Sequence, residues 1–320
     1  MPARLPSGSG VPSLSSEAAV RAVVRQALGS HVRVQLATWY VRRDTYVVAA
    51  VTTERPTLRL VVKLEQPGER PNRHLDVMAT IAQLVRRRTS VPTFEVVAVD
   101  VSRRTWPWEY LIVTQLPGMT WAELYPQLDE PARAAAQRQI GQAAAGLHTL
   151  RFDAFGQLGA DGSVIDGATA VPALVRRAQQ RLTTPRYRAL MLNVLHTRAS
   201  LFTDSVMPTL CHEDLNPYNM VFEMRDGQPH LSGILDFESA WASTGESDLA
   251  RLELWRVTAG SAIRQGYTQV APLADEYLAR KPVLQLLWCL EFAEHHASPQ
   301  HQADTDQLCA ELAIAPIPLR

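Results

Sequence analysis

Lysine is nearly missing from this 320-residue chain, where only Lys63 and Lys281 among 32 basic residues are not arginine. Surplus charge is missing as well, since 32 Asp and Glu residues balance the 32 basic ones. A chain without a basic excess lacks the electrostatic drive toward nucleic acid or anionic membrane surfaces, so neither is an expected partner. Apolar runs such as Leu111-Ile112-Val113 fall far short of the ~18–20 residues that span a bilayer. Cys211, Cys289 and Cys309 have no C-x-x-C spacing and cannot all pair. That fits a reducing compartment and argues against a structural zinc site or a disulfide framework. Residues 1–15 are rich in Pro, Ser and Gly without the apolar centre of a secretory signal, so they read as a flexible lead-in and the expected location is cytoplasmic.

What is present is ordinary globular material, 46% hydrophobic and 20% charged, long enough at roughly 150 residues per domain for two. Ser16–Leu28 places Ala19, Val20, Val23, Val24 and Ala27 at helical spacing and stops at Gly29. Val32–Ala37, Thr45–Thr52 and Leu58–Glu65 are short runs rich in Val, Leu and Thr, and predict an antiparallel meander. A helix over Leu75–Val85 and strands over Phe94–Val101 and Tyr110–Gln115 follow, before Leu116-Pro117-Gly118 punctuates the chain. Beyond it the pattern turns helical: Glu130–Leu150, Ala173–Leu182, Arg186–Leu201 and most of Arg251–Leu312. One β element interrupts these helices, Asn219–Glu223 and Leu231–Asp236 around Asp226-Gly227, a strong hairpin signal. The expected fold class is α+β and bilobal, with an antiparallel sheet lobe plus helix over 16–116, a mainly helical lobe over 117–320, and a cleft between them.

The hairpin carries the chemistry. Asn219 and Asp236 lie about equally far from its turn, so both emerge at one end. An amide oxygen beside a carboxylate is a hard-oxygen pair suited to Mg²⁺, which takes its remaining ligands from water and substrate phosphates. Asp214 stands five residues before Asn219 in His212-Glu213-Asp214-Leu215-Asn216-Pro217-Tyr218-Asn219. There it could accept the proton of an attacking hydroxyl. Lys63 lies in the apolar run Leu60-Val61-Val62-Lys63-Leu64, and in a chain so poor in lysine it marks a place for a compact ammonium in preference to a guanidinium fork.

The loop matches the kinase pattern H-x-D-x-x-x-x-N, and Asp236-Phe237-Glu238 opens like D-F-G with Glu in place of Gly. With Leu111–Gly118, Gly146-Leu147-His148 and Gly245-Glu246-Ser247-Asp248-Leu249-Ala250, these motifs make the chain resemble the aminoglycoside phosphotransferase-like family of small-molecule kinases. The resemblance extends from about Leu36 to Leu252 and implies a protein-kinase-like fold. It also implies Asp214 as catalytic base, Asn219 and Asp236 as Mg²⁺ ligands, and Lys63 on the α and β phosphates of ATP or GTP. Asp76 sits where the family has the glutamate that pairs with this lysine; a surface Asp near a helix start is the other reading. Backbone groups near Gln115 and Leu116 would hold the base. His212, Glu238 and Asp248 are supporting candidates, His212 bracing the loop backbone and Asp248 giving the loop structural support.

Two departures matter. No glycine occurs between Leu36 and Val48, so a Gly-rich phosphate loop is absent; Arg42, Arg43 or Thr45 could serve there, and a solvated turn is the alternative. Asn216 stands where protein kinases place a lysine, and only Ser239–Ser247 separate Glu238 from Asp248, which leaves no peptide platform. The expected acceptor is therefore a small hydroxylated molecule, an antibiotic or a metabolite, with Glu253, Asp275, Glu291 and Glu294 available to meet a cationic one. A monomer or weak homodimer is expected. The alternative function is a catalytically inactive kinase-like nucleotide-binding or regulatory protein.

Overall fold

The computed structural model describes residues 17–30, 32–35, 40–42, 45–47, 50–52, 58–65, 74–203 and 206–319. The first lobe runs helix α1 (Glu17–Leu28), strands β1 (Arg33–Gln35), β2 (Tyr40–Arg42), β3 (Thr45–Val47), β4 (Ala50–Thr52) and β5 (Leu58–Glu65), helix α2 (Leu75–Arg88), then β6 (Val96–Asp100) and β7 (Glu109–Thr114). The remainder contains β8 (Met119–Thr120), α3 (Trp121–Leu124), α4 (Glu130–Leu147), β9 (Phe155–Leu158), β10 (Val164–Ala168), α5 (Ala170–Arg181), α6 (Pro185–Thr197) and β11 (Thr209–Cys211). It continues with β12 (Met220–Arg225), β13 (Gln228–Ile234), β14 (Trp241–Ser243), α7 (Glu246–Leu252), α8 (Ser261–Thr268), α9 (Tyr277–Ala293) and α10 (Pro299–Glu311).

Period-two alternation along β5 decides how the first lobe is layered. Leu60, Val62 and Leu64 are buried against Ala19, Val20, Val23 and Val24 of α1. Successive strand side chains point to opposite faces, so Val61 and Lys63 turn the other way, toward α2. The sheet is antiparallel throughout in the order β1-β4-β5-β7-β6. It departs from the expected meander: β4 joins this sheet, whereas β3 pairs with β2 alone among the described residues. The glycine-free turn at Arg43-Asp44 lies outside the described residues, and Thr45 is described through its backbone pairing with Arg42 alone.

Helix α2 belongs to the larger core, which also takes Leu111 and Val113 from β7 and runs through α4 to α10. Between the lobes, Gly118 is obligatory. Its φ is +105°, and a Cβ there would lie 1.9 Å from the Phe222 carbonyl oxygen, so any side chain would push the connecting segment off β12.

The second lobe holds more sheet than its helical pattern suggests. Besides the β13-β12-β8 sheet, a four-stranded sheet has the order β10-β9-β14-β11. Its strands of three to five residues are too short for a period-two signal, and β9–β14–β11 pairing joins segments far apart in sequence. The hairpin forms at the Asp-Gly signal: Arg225 pairs with Gln228, and Asp226 and Gly227 have φ of 49° and 75°, the all-positive pair of a type I′ turn. Among the described residues no helix is long and apolar enough to cross a membrane.

Candidate active site

Hairpin register brings Asn219 and Asp236 together. Met220 pairs with Ile234, and the Leu235 amide donates to the Asn219 carbonyl at 2.8 Å. Asn219 and Asp236 therefore leave the β ribbon side by side at the end away from its turn. Asp236 adopts a left-handed conformation, φ 64° and ψ 68°, and Glu213 in the loop has φ 61°. Such backbone costs ~1–3 kcal/mol for a residue other than glycine and persists where the surroundings over-determine it.

Buried groups supply that over-determination beneath the loop. Asp248 is fully buried and accepts from the His212 and Glu213 amides at 2.7 and 2.8 Å. Its second neighbour is His148, whose Nε2 lies 3.1 Å from Asp248 Oδ2, while His148 Nδ1 meets the Tyr267 hydroxyl at 2.9 Å. Burial alone would raise the Asp248 carboxyl, but the hydrogen bond and charge of His148, with His212, hold it below the usual range. His212 Nε2 donates to the Leu235 carbonyl at 2.7 Å and Nδ1 accepts from the Asp214 amide at 3.2 Å. These bonds tie the loop to the hairpin, so His212 braces backbone directly, while His148 acts on it through Asp248. His148, Cys211 and Asp248 cluster closely enough to suggest a metal site, yet each is engaged in the brace, Cys211 through the Thr244 carbonyl at 3.1 Å.

Asp214 sits above this brace with its side chain 39% exposed. Asn219 spends both amide protons on it, one on the Asp214 carbonyl at 2.9 Å and one on Oδ2 at 3.0 Å. The amide oxygen of Asn219 therefore faces away from Asp214. On the other side, Arg251 Nη1 lies 3.5 Å from Asp214 Oδ1.

Lys63 reaches from β5 to the hairpin end, 3.0 Å from Asp236 Oδ1 and 3.2 Å from Glu238 Oε1. Burial would lower its pKa, but the two carboxylates outweigh burial and raise it, so the ammonium stays charged. Asp76 is not its partner. Met78 is the α2 residue facing Lys63, its sulfur 3.6 Å from Nζ, and two residues of helix, roughly 200°, turn Asp76 to the opposite side. There Asp76 Oδ1 accepts from the Val77 amide at 2.8 Å. Gln115 donates its amide to the Arg59 carbonyl at 2.9 Å, which leaves its carbonyl and the Leu116 backbone at the lobe junction. A cavity of about 300 Å³ beside Glu238 takes Val77 from α2 and His74 just before it, and Gln157, Arg181 and Trp241 from the other lobe.

A buried ion network, unforeseen from sequence, flanks the loop. Arg177 bonds Glu213 at 2.8 Å and grips Glu291 in a fork at 2.7 and 2.8 Å, with Arg181 3.5 Å from Glu291. Burial opposes ionisation of Glu291, but Arg177 and Arg181 lower its pKa to about 2. The expectation that Glu253, Glu291 and Glu294 meet a cationic acceptor does not fit their contacts. Glu253 pairs with Arg264 and Lys281 at 2.8 and 2.9 Å, and Glu294 accepts from the Thr184 amide at 2.8 Å. Asp275 is exposed before α9.

The model of the phosphotransferase enzyme family matches residues 42–282. Among solved structures, a protein provisionally called fructosamine-3-kinase from Thermobifida fusca superposes with TM-score 0.64 at 22% identity, covering 94% of this chain and all of the other. A thermostable aminoglycoside phosphotransferase APH(4)-Ia variant with ADP and hygromycin B gives 0.62 at 14%, over 92% and 96% of the two chains. The GDP and kanamycin complex of APH(2")-IIia gives 0.60 at 12%, over 92% and 97%. No curated protein sequence matches the chain.

Proposed function

The chain belongs to the phosphotransferase enzyme family and is a small-molecule kinase-like enzyme, and on that premise we propose that it moves the γ-phosphoryl group of Mg²⁺-bound ATP or GTP to a hydroxyl of a small molecule. One observation carries this reading: Asp214 is fixed through Asn219 at 3.0 Å, while Asp236, beside Asn219, is fixed through Lys63 at 3.0 Å. Base, cation ligands and phosphate-binding ammonium therefore form one linked constellation.

The donor set fits a hard divalent ion, since Asn219 offers a carboxamide oxygen and Asp236 a carboxylate. When bound, the Mg²⁺-nucleotide supplies the transferable phosphoryl group and neutralises developing charge. The chain's residues do the rest. Lys63 binds phosphate oxygens through a point charge already held in place. Asn219 fixes the Asp214 carboxylate, which orients the acceptor hydroxyl and takes its proton at Oδ1 or Oδ2. Positioning supplies most of the rate, and the base adds ~10²–10⁴-fold. The Leu116 backbone and Gln115 carbonyl would receive the base, and α7 to α10 close the acceptor side.

The test is a nucleotide-consumption assay with Mg²⁺ and either ATP or GTP against a library of hydroxyl compounds. Acceptor-dependent release of the diphosphate supports the proposal; Mg²⁺-independent nucleotide binding with no transfer to any acceptor would instead favour a silent nucleotide binder.

A further inference from the structure

The acceptor side of Asp214 is built from donors and aromatic faces. Asp214 Oδ2 is taken by Asn219, and Oδ1 faces Arg251 at 3.5 Å, so Arg251 and Asn219 hold different oxygens of the proposed base. Arg251 is 4% exposed and its guanidinium lies 5.0 Å over the Trp288 ring. Trp288 in turn meets Trp255 edge-on, with ring centroids 5.6 Å apart. The Trp255 indole N–H is buried and finds no acceptor.

Charge points the same way. Three guanidiniums, Arg177, Arg181 and Arg251, stand within electrostatic reach of Glu291. Arg177 occupies both Glu213 and Glu291, so Asp214 is the carboxylate left for Arg251. Once Asp214 turns to an acceptor hydroxyl, Arg251 loses part of its compensation. The acids that could draw a polycation are elsewhere engaged, Glu253 by Arg264 and Lys281 and Glu294 by the start of α6.

We propose that Arg251, mounted on Trp288 beside Asp214, selects an acceptor bearing a carboxylate or phosphate beside its reactive hydroxyl, and disfavours polycationic aminocyclitols. The fork of a guanidinium matches either anion in a two-point contact. A cationic acceptor brings further positive charge beside this guanidinium, while Glu253, Glu291 and Glu294 are already engaged by other partners. This specificity rests on the phosphotransfer reading.

The experiment compares D-gluconate, D-galacturonate and 3-phosphoglycerate with uncharged sorbitol and with kanamycin, in the presence of Mg²⁺ and a non-hydrolysable ATP analogue for binding, and Mg²⁺-ATP for turnover. Binding is read from tryptophan fluorescence. At least one anionic probe should bind, and turn over, ten-fold or more better than sorbitol, with kanamycin weakest. In Arg251→Gln the anionic acceptor's KM should rise ten-fold or more with nucleotide affinity retained, and Arg251→Lys should recover part of it. If Arg251→Gln fails to fold, the charge preference of the wild-type chain still decides. Kanamycin binding above every anion, equal affinity for gluconate and sorbitol, or no anion binding at all would overturn the proposal. Absence of any Mg²⁺-dependent nucleotide binding would sink the phosphotransfer reading itself, a separate outcome.

Discussion

Lys63 and Glu238 form an ion pair at 3.2 Å in which the carboxylate comes from the residue following Asp236-Phe237. The facing helix contributes Met78 sulfur at 3.6 Å in its place. A thioether is a weak acceptor and cannot balance a buried ammonium, so the compensation comes from the hairpin exit. The lysine is thereby tied to the segment that carries the proposed cation ligand.

The first expectation follows from that pair. Glu238→Gln removes one of two anions at Lys63 and should raise the KM for the nucleotide several-fold with a smaller change in kcat. Asp76→Asn should leave both within about two-fold. Steady-state kinetics with varied ATP would show it; a larger effect of Asp76→Asn than of Glu238→Gln would restore α2 as the source of the partner.

Asp248 concerns the loop itself. Asp248→Asn cannot accept two backbone amides and the His148 N–H without also burying its own N–H₂. Loss of a buried charged partner costs ~3–5 kcal/mol, so the urea midpoint should fall and kcat should drop with the loop's geometry. Unchanged stability would mean the brace carries nothing.

Acid sensitivity has a definite sign. The Glu291 pKa is about 2 in the folded chain against an ordinary 4.5, so its contribution is complete above pH 4.5 and disappears as pH falls toward about 2. The Tm gap between wild type and Glu291→Gln should be widest near neutrality and narrow across that acid window. A pH-independent gap would contradict the assignment.

Much of the site is legible in the sequence, and the legible part is local. The Asp226-Gly227 turn fixes hairpin register and so the neighbourhood of Asn219 and Asp236; β5 alternation sends Lys63 toward α2; Asp248 and His212 both bond to the loop backbone. Asp76 has the family's spacing from Lys63 but not the helix phase that faces it, and Met78 occupies the facing position. Arg251 carried a usable signal, an arginine inside Leu249-Ala250-Arg251-Leu252, since buried guanidiniums are rare unless paired. The Arg177–Glu213–Glu291 network had none, for it joins α5, the loop and α9 across more than a hundred residues. The β10-β9-β14-β11 sheet was hidden for the same reason, with strands too short to show a period.

The most direct measurement is single-turnover phosphoryl transfer by Asp214→Ala beside wild type, with Mg²⁺-nucleotide affinity determined on both. Loss of the base should slow transfer by at least ~10²-fold while nucleotide affinity stays within a few-fold. Transfer at the wild-type rate would show that Asp214 is not the group that takes the acceptor's proton.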